Sequence, residues 1–237
     1  MTRVAGVTAA VSAALLMATA CNSDGADVGG AELSATPNAD PAVIASLMLG
    51  KAELPSGYQL VQVPKDQAQQ FADTMGVSTR NAKITPSKCK HLSVYPADVA
   101  ADQVGSTVAM KTSSILVETV AAVDGKVDEV RQRADGECST LTIEVTEGSA
   151  SGAKATTTSK VLDGPKTAAD AAVVVQQSST VELAGSTTRT AVVLGLAEVN
   201  GYLVSVQTSD TAGNSPDLAA FNAFFAKAIG RVSEKTS

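Results

Sequence analysis

Three cysteines are the residues of this 237-residue chain that bear most directly on chemistry. Cys21 follows an Ala-Thr-Ala stretch at residues 18–20, whose small side chains fit a peptidase groove that accepts nothing larger. A cysteine thiol is a nucleophile that can carry a diacylglycerol group. Cys89 and Cys138 lie far downstream of it. The sequence therefore contains one candidate for covalent modification and two candidates for pairing.

The segment before Cys21 has the organisation of an export signal. Arg3 supplies a positive amino-terminal region, and residues 4–17 form an apolar run that is too short to cross a hydrocarbon core of about 30 Å as a stable helix. We predict that residues 1–20 are a signal peptide. The pattern resembles the lipobox of bacterial prolipoproteins, in which Leu usually stands where Ala18 stands here. The alternative is an ordinary secretory signal with an unrelated cysteine nearby.

The resemblance to prolipoproteins implies a lipid anchor at Cys21. Residues 21–40 would then be the acylated cysteine and a polar tether, and a coil of residues 22–40 spans roughly 24 Å from end to end. Two or three acyl chains are sufficient for stable membrane attachment. We therefore expect the protein at the extracytoplasmic face of the cell membrane, with the membrane as a partner through its anchor and with a part of the protein secreted.

Removing Cys21 from consideration leaves Cys89 and Cys138 as a pair in an exported protein, where thiols are normally oxidised. A disulfide between them would close a loop of about 50 residues and stabilise the fold by roughly 4 kcal/mol. Two free thiols, or a metal site, are the alternatives. His91 is the one histidine in the chain, so a zinc site would lack a convincing fourth ligand. We expect His91 to be a surface or helix-face residue.

Composition and motifs argue against several classes of function. The formal charge is −6 and no basic run is present, so we expect no nucleic-acid partner. No Gly-x-Ser-x-Gly elbow accompanies the single histidine, and no glycine-rich phosphate loop follows a strand. We therefore predict a protein that is not an enzyme and needs no cofactor. Aromatic residues make up 3% of the chain, which disfavours a lectin-like role.

Periodicity and turn signals predict an α+β domain over residues 41–237. Helices are expected over residues 41–49, 66–75, 86–92, 126–138 and 218–232. Strands are expected over residues 58–63, 106–112, 115–123, 139–146, 173–183, 187–199 and 202–208. A loop is expected over residues 148–158, which are small and polar. This order of elements predicts a single twisted antiparallel sheet with helices packed mainly on one face, together with one disulfide.

The two strongest local signals lie near the carboxyl end. Asn200-Gly201 between two alternating runs predicts a tight hairpin, because both residues tolerate a positive φ. The last helix is amphipathic, and we expect its apolar stripe to anchor the core against the sheet. The stripe consists of Leu218, Phe221, Phe224, Phe225, Ile229 and Val232.

Five short features occur together in this chain. They are the lipobox, the turn Leu54-Pro55-Ser56-Gly57-Tyr58, the helix start Pro86-Ser87-Lys88-Cys89, Cys138 entering a strand, and the closing helix with its phenylalanines. In these features the chain resembles small mycobacterial envelope lipoproteins of unknown function, which are distantly similar to the extracytoplasmic sensor domains of kinases. Those sensor domains usually have two disulfides, whereas this chain can form one.

Two hypotheses of function follow. The first is a non-enzymatic binding or sensing module of the envelope, which would present surface loops such as residues 148–158 to a polymer or protein partner. The second is a carrier that holds the acyl chains of an envelope lipid in a cavity between the sheet and the helices. An open apolar pocket at the interface of sheet and helices would distinguish the two.

Overall fold

The computed structural model describes residues 37–61, 82–90, 103–123, 125–147 and 151–237. These residues form nine strands and three α-helices. The strands are β1 (Gln59–Val61), β2 (Ala82–Thr85), β3 (Val104–Lys111), β4 (Ser114–Ala121), β5 (Thr140–Val145), β6 (Lys154–Leu162), β7 (Ala171–Leu183), β8 (Ser186–Val199) and β9 (Tyr202–Asp210). The helices are α1 (Pro41–Leu47), α2 (Val127–Asp135) and α3 (Leu218–Thr236), and short 3-10 turns occupy Lys51–Glu53 and Ser87–Cys89.

The nine strands form one antiparallel sheet in the order β1-β3-β4-β9-β8-β7-β6-β5-β2. Tight turns join β3 to β4, β7 to β8, and β8 to β9. The last of these is the predicted Asn200-Gly201 hairpin, with φ of 49° and 81° at its two central residues. The expected fold, one antiparallel sheet with a carboxyl-terminal helix and one disulfide, is therefore confirmed.

The sheet has an apolar surface on each side, because successive side chains of a strand point to opposite faces. In β8, Val193 and Ala197 belong to a core cluster with α1 and α3, whereas Leu194 and Leu196 belong to a second cluster with α2. We call these two sides the α3 face and the α2 face. The two helices α1 and α3 share one face, and the nine-residue α2 covers the other.

Helix α3 is held against the sheet as its sequence predicts. Its N-cap Asp217 accepts a hydrogen bond from the Ala220 backbone N–H at 2.9 Å. The apolar stripe is buried, apart from Leu218, which is 41% exposed at the first helical position and was wrongly expected in the core. The buried members are Phe221, Phe224, Phe225, Ile229 and Val232. None of the described helices combines the length and apolarity that a bilayer crossing requires.

Helix α1 begins where the sequence predicts and ends two residues early. The Asp40 side chain caps it by accepting a hydrogen bond from the Ala42 backbone N–H at 2.7 Å, and Pro41 occupies the first turn. The chain turns extended at Met48, so that the Leu49 backbone N–H donates to the Glu118 side chain instead of continuing the helix. Where helix α1 ends, a hydrogen bond to Glu118 of strand β4 therefore takes the place of the next helical hydrogen bond.

The predicted loop over residues 148–158 is wrong, because Lys154–Leu162 form strand β6 between β5 and β7. The segment lacks the apolar alternation that usually identifies a strand. Its buried Thr157 instead shares a hydrogen bond of 2.8 Å with the Ser179 hydroxyl on β7. Threonine is β-branched and suits a pleated backbone, so polar cross-strand pairs stabilise this part of the sheet.

Two other predicted helices lie wholly or partly outside the described residues. The helix expected over residues 66–75 is one of them. The helix expected over residues 86–92 is described as far as residue 90, and there the chain forms the 3-10 turn Ser87–Cys89. The remaining predicted helix, over residues 126–138, is observed as Val127–Asp135, with Val127, Val130 and Ala134 buried as expected.

Candidate functional site

The predicted cysteine pair is a disulfide. Cys89 ends the 3-10 turn that follows edge strand β2, and Cys138 lies two residues before β5, the neighbour of β2. The two Cα atoms lie 5.8 Å apart, a normal span for a bridge, and both cysteines are buried. The bond therefore joins the connections of two paired strands at one edge of the sheet.

The other sequence-predicted residues, Cys21 and His91, lie outside the described residues. Lipidation of Cys21, the signal peptide and the tether before residue 37 stay predictions. Within the described part of the chain, no group of three or more His, Cys, Asp or Glu side chains could hold a metal ion.

The most unusual titratable residue is Glu118, near the middle of β4. It is 0% exposed and lies on the α3 face in phase with Leu116 and Val120. Its Oε2 accepts a hydrogen bond of 3.0 Å from the Leu49 backbone N–H, and its Oε1 has no hydrogen-bond partner. A buried carboxylate with one donor is poorly compensated, because removing a charge from water costs several kcal/mol.

The pKa of Glu118 is raised to about 7, chiefly because burial disfavours the charged form. The Leu49 N–H lowers this pKa, the nearby Glu53 carboxylate raises it, and the Arg231 guanidinium lowers it. Glu118 therefore changes its charge near neutral pH, a range in which an ordinary glutamate is already ionised.

Glu53 lies in the 3-10 turn just after α1 and links this turn to helix α3 through Arg231. Its carboxylate pairs with Arg231 and accepts a hydrogen bond of 2.8 Å from the Gly50 backbone N–H, and these two contacts hold its pKa below the usual value. Lys227 donates to the Glu53 backbone oxygen at 3.0 Å. Arg231, the cation that lowers the pKa of Glu118, is therefore already paired with Glu53.

Sequence reasoning missed Glu118. The signal was present in β4, where this acid occupies a position in phase with Leu116 and Val120 and therefore belongs to the buried face of the strand. A charged residue at such a position is expected to be a buried ionisable group, and such groups are candidates for a functional role.

The amino-terminal end of the described chain enters at one end of the sheet. The Asn38 backbone N–H donates to the Tyr202 hydroxyl at 3.0 Å, and this hydroxyl donates to the Asn38 oxygen at 3.1 Å. The Pro37 ring lies beside Gly201 in the β8–β9 turn. The β7–β8 turn at residues 184–185 lies at the other end of the 14-residue strand β8. Strand geometry places the two turns about 40 Å apart.

The end of the sheet far from Asn38 has an open depression of about 340 Å³. One wall is the β7–β8 hairpin over residues 182–187, and the other includes Lys154, the first residue of β6, and Gly152 just before it. Lys154 and Glu182 are cross-strand neighbours, so opposite charges line the same depression. We call this depression and its lining residues, Gly152, Lys154 and residues 182–187, the tip.

The interface between α3 and the sheet is closely filled at Gly195 in β8. A methyl group at this position would lie 2.9 Å from the rings of both Phe221 and Phe225. The two rings stack with their centroids 5.7 Å apart. At Gly105 in β3, a methyl group would lie 2.8 Å from the Ile44 side chain of α1. At both places the helices pack directly on the sheet backbone.

No family model and no curated protein matches the chain. Among solved structures, it is similar to the X-ray structure of an uncharacterised protein from Mycobacterium smegmatis, at 12% sequence identity and a TM-score of 0.49. The likeness covers 85% of this chain and 100% of that one.

Proposed function

We propose that this chain is an exported, lipid-anchored protein of the cell envelope whose domain is a binding or sensing module and not an enzyme. The observation that carries the proposal is the buried Cys89–Cys138 disulfide. Structural disulfides persist in oxidising compartments outside the cytosol, where a lipobox-like Cys21 would direct the protein. The disulfide and the lipobox-like Cys21 therefore both favour a location on the extracytoplasmic side of the membrane.

The contacts of Asn38 indicate how an anchored domain would be oriented. The tether from Cys21 would reach the sheet at the Tyr202 end, since Asn38 bonds the Tyr202 hydroxyl there. With the strands along the membrane normal, the tip would lie about 40 Å farther from the lipid than the point of attachment. In this orientation the depression faces away from the membrane and is accessible to a partner in the envelope.

The chemistry of the tip favours a protein partner. The depression contains Lys154, Glu182 and the backbone of two turns, and its one large apolar side chain, Leu183, is 38% exposed. Among the described residues that line it, none is an aromatic side chain of the kind that stacks on sugar rings. A mixed surface of charges, backbone groups and one apolar side chain is typical of a transient protein interface.

The acyl-chain carrier is not proposed as a second function. The aromatic rings of α3 rest directly on the backbone of Gly195, and α1 rests on Gly105 in the same way. These contacts fill the places where a carrier would separate helix from sheet.

Anchoring is tested by metabolic labelling with a fatty-acid probe in an actinobacterial host that expresses the full chain. We expect the wild-type protein to be labelled and to sediment with membranes. The Cys21→Ala variant is expected to be unlabelled. An unlabelled wild-type protein, or equal labelling of the two proteins, would contradict the anchor.

The role of the tip is tested by photo-crosslinking in intact cells. A photoreactive residue replaces Ser186 at the tip or, as a matched control, the exposed Lys166 in the connection between β6 and β7. We expect a defined protein adduct from position 186 and none from position 166. The same adduct from both positions, or no adduct from position 186, would contradict binding at the tip.

A further inference from the structure

The carboxyl of Glu118 lies beneath the segment that follows α1. We call residues 48–54 the cover segment. Within it, the Leu49 N–H donates to Oε2 of Glu118, and Glu53 binds both the Gly50 N–H and Arg231. When Glu118 is neutral, Oε1 can carry the proton, and its lack of an acceptor costs less than a buried charge. When Glu118 is ionised, the same oxygen holds charge without a donor.

The charged groups that act on Glu118 come from two elements. The cover segment has two charged residues, of which Glu53 acts on the pKa of Glu118 and Lys51 is exposed. Helix α3 contributes Arg231, whose pKa Glu234 of the same helix also raises. Lys227 of α3 is bonded to the Glu53 backbone oxygen. Helix α1 has no charged side chain. Opposite Glu118 on the neighbouring strands lie the uncharged Thr107 and Val206.

Arg231 is therefore the one cation on these described elements that acts on the Glu118 charge, and Glu53 already holds it. The attraction is reciprocal, because Glu118 also raises the pKa of Arg231. When the Glu118 carboxyl loses its proton to solvent, the charge of the resulting carboxylate can be compensated in two ways. It can draw Arg231 away from Glu53, or it can admit water by displacing the cover segment. Each of them weakens the contacts that hold Glu53 and Gly50.

We propose that Glu118 is a proton-operated latch, in which the neutral carboxyl keeps the cover segment closed and the carboxylate opens it by competing with Glu53 for Arg231. No covalent bond other than the O–H bond of the carboxyl changes, and the proton passes to solvent. The latch lies between α1, which follows the tether region, and the central strands of the sheet. Its opening would loosen the attachment of the amino-terminal segment while the sheet stays folded.

Amide hydrogen exchange of the full mature chain at pH 5.5 and pH 8, expressed as protection factors, tests the latch. We expect the protection of the Leu49 and Gly50 amides to fall at least about tenfold between these pH values. The closed state holds the Glu118 proton up to about pH 7, so a rise in pH above the ordinary glutamate range favours the open state. The Val204 and Val206 amides of the central strand β9 should be more strongly protected than those of Leu49 and Gly50 at both pH values, because opening of the cover segment leaves the sheet folded. The Glu118→Gln variant should lose the fall, and the exposed-site control Glu147→Gln should keep it.

A second measurement, a pH titration of the wild-type protein followed by NMR, needs no variant. The chemical shifts of Gly50 and Glu53 should change with the same midpoint pH as that of the Glu118 side-chain carboxyl carbon. Equal protection of the Leu49 and Gly50 amides at both pH values, the same fall in Glu118→Gln, or protection of the Leu49 and Gly50 amides as strong as that of the β9 amides would overturn the latch. Independent midpoints for Glu118 and Gly50 would overturn it as well.

Discussion

Replacing Glu118 with glutamine should remove a pH dependence from the stability of this protein. Because the folded protein holds the Glu118 proton more tightly than the unfolded chain does, unfolding releases a proton between pH 4.5 and about 7. Stability from this group is therefore complete below about pH 4.5, decreases as the pH rises and is lost above about pH 7. The shift corresponds to roughly 3 kcal/mol in the free energy of unfolding.

Glutamine has nearly the same shape and can still accept the Leu49 N–H bond. Its amide carries no charge at any pH, so the variant should lack the Glu118 contribution to the slope. An unpaired amide N–H could lower its stability by about 1 to 3 kcal/mol, but by the same amount at every pH. The change with pH, and not the absolute stability, is therefore the informative quantity.

The assay is urea unfolding at a series of pH values from 5 to 8 for wild type, Glu118→Gln and the exposed control Glu147→Gln. The quantity compared is the difference in free energy of unfolding between each variant and wild type at the same pH, because this difference cancels the titration of groups that the two proteins share. Relative to wild type, Glu118→Gln should gain up to about 3 kcal/mol between pH 5 and pH 8. A constant difference across this range, or an equal gain in Glu147→Gln, would refute the reasoning.

Three further predictions concern the fold. Cys89→Ser should lower the free energy of unfolding by about 2 to 5 kcal/mol under oxidising conditions, and reduction of the wild type should add the mass of two hydrogens; an unchanged mass would contradict the bridge. Gly195→Ala should lower the free energy of unfolding by about 1 to 3 kcal/mol, because its methyl group meets two Phe rings. The control Gly230→Ala, whose methyl group meets nothing within 4 Å, should stabilise α3 by about 1 kcal/mol. Midpoints of denaturant unfolding that move in the same direction for both variants would contradict this packing. Asp217→Ala should cost about 1 kcal/mol through loss of the α3 cap, measured by thermal unfolding, and an unchanged midpoint would argue against the cap.

Sequence patterns predicted the elements whose signals are local. The Asn200-Gly201 turn needs positive φ at two adjacent residues, and few residue types other than Asn and Gly supply it. The stripe of phenylalanines in α3 has a clear helical period, and its burial against the sheet follows from that period. In both cases the information lies within one element or one turn.

Local sequence patterns do not predict an element whose stabilising partner is distant in the chain. Strand β6 has no apolar alternation, and its buried Thr157 depends on Ser179, 22 residues away. The early end of α1 accompanies a bond from Leu49 to Glu118, 69 residues away. The Glu53–Arg231 pair, on which the proposed latch depends, spans 178 residues. The hydrogen-bond or ion-pair partner in each of these cases is set by the tertiary fold and not by the local sequence.

The proposed anchor is the central claim, and the mass of the mature amino terminus tests it most directly. The full chain would be expressed in an actinobacterial host, extracted from membranes with detergent, digested and analysed for its first peptide. The account predicts a peptide that begins at Cys21 and carries a diacylglycerol group on its sulfur. An amino terminus at any other residue, or an unmodified Cys21, would contradict it.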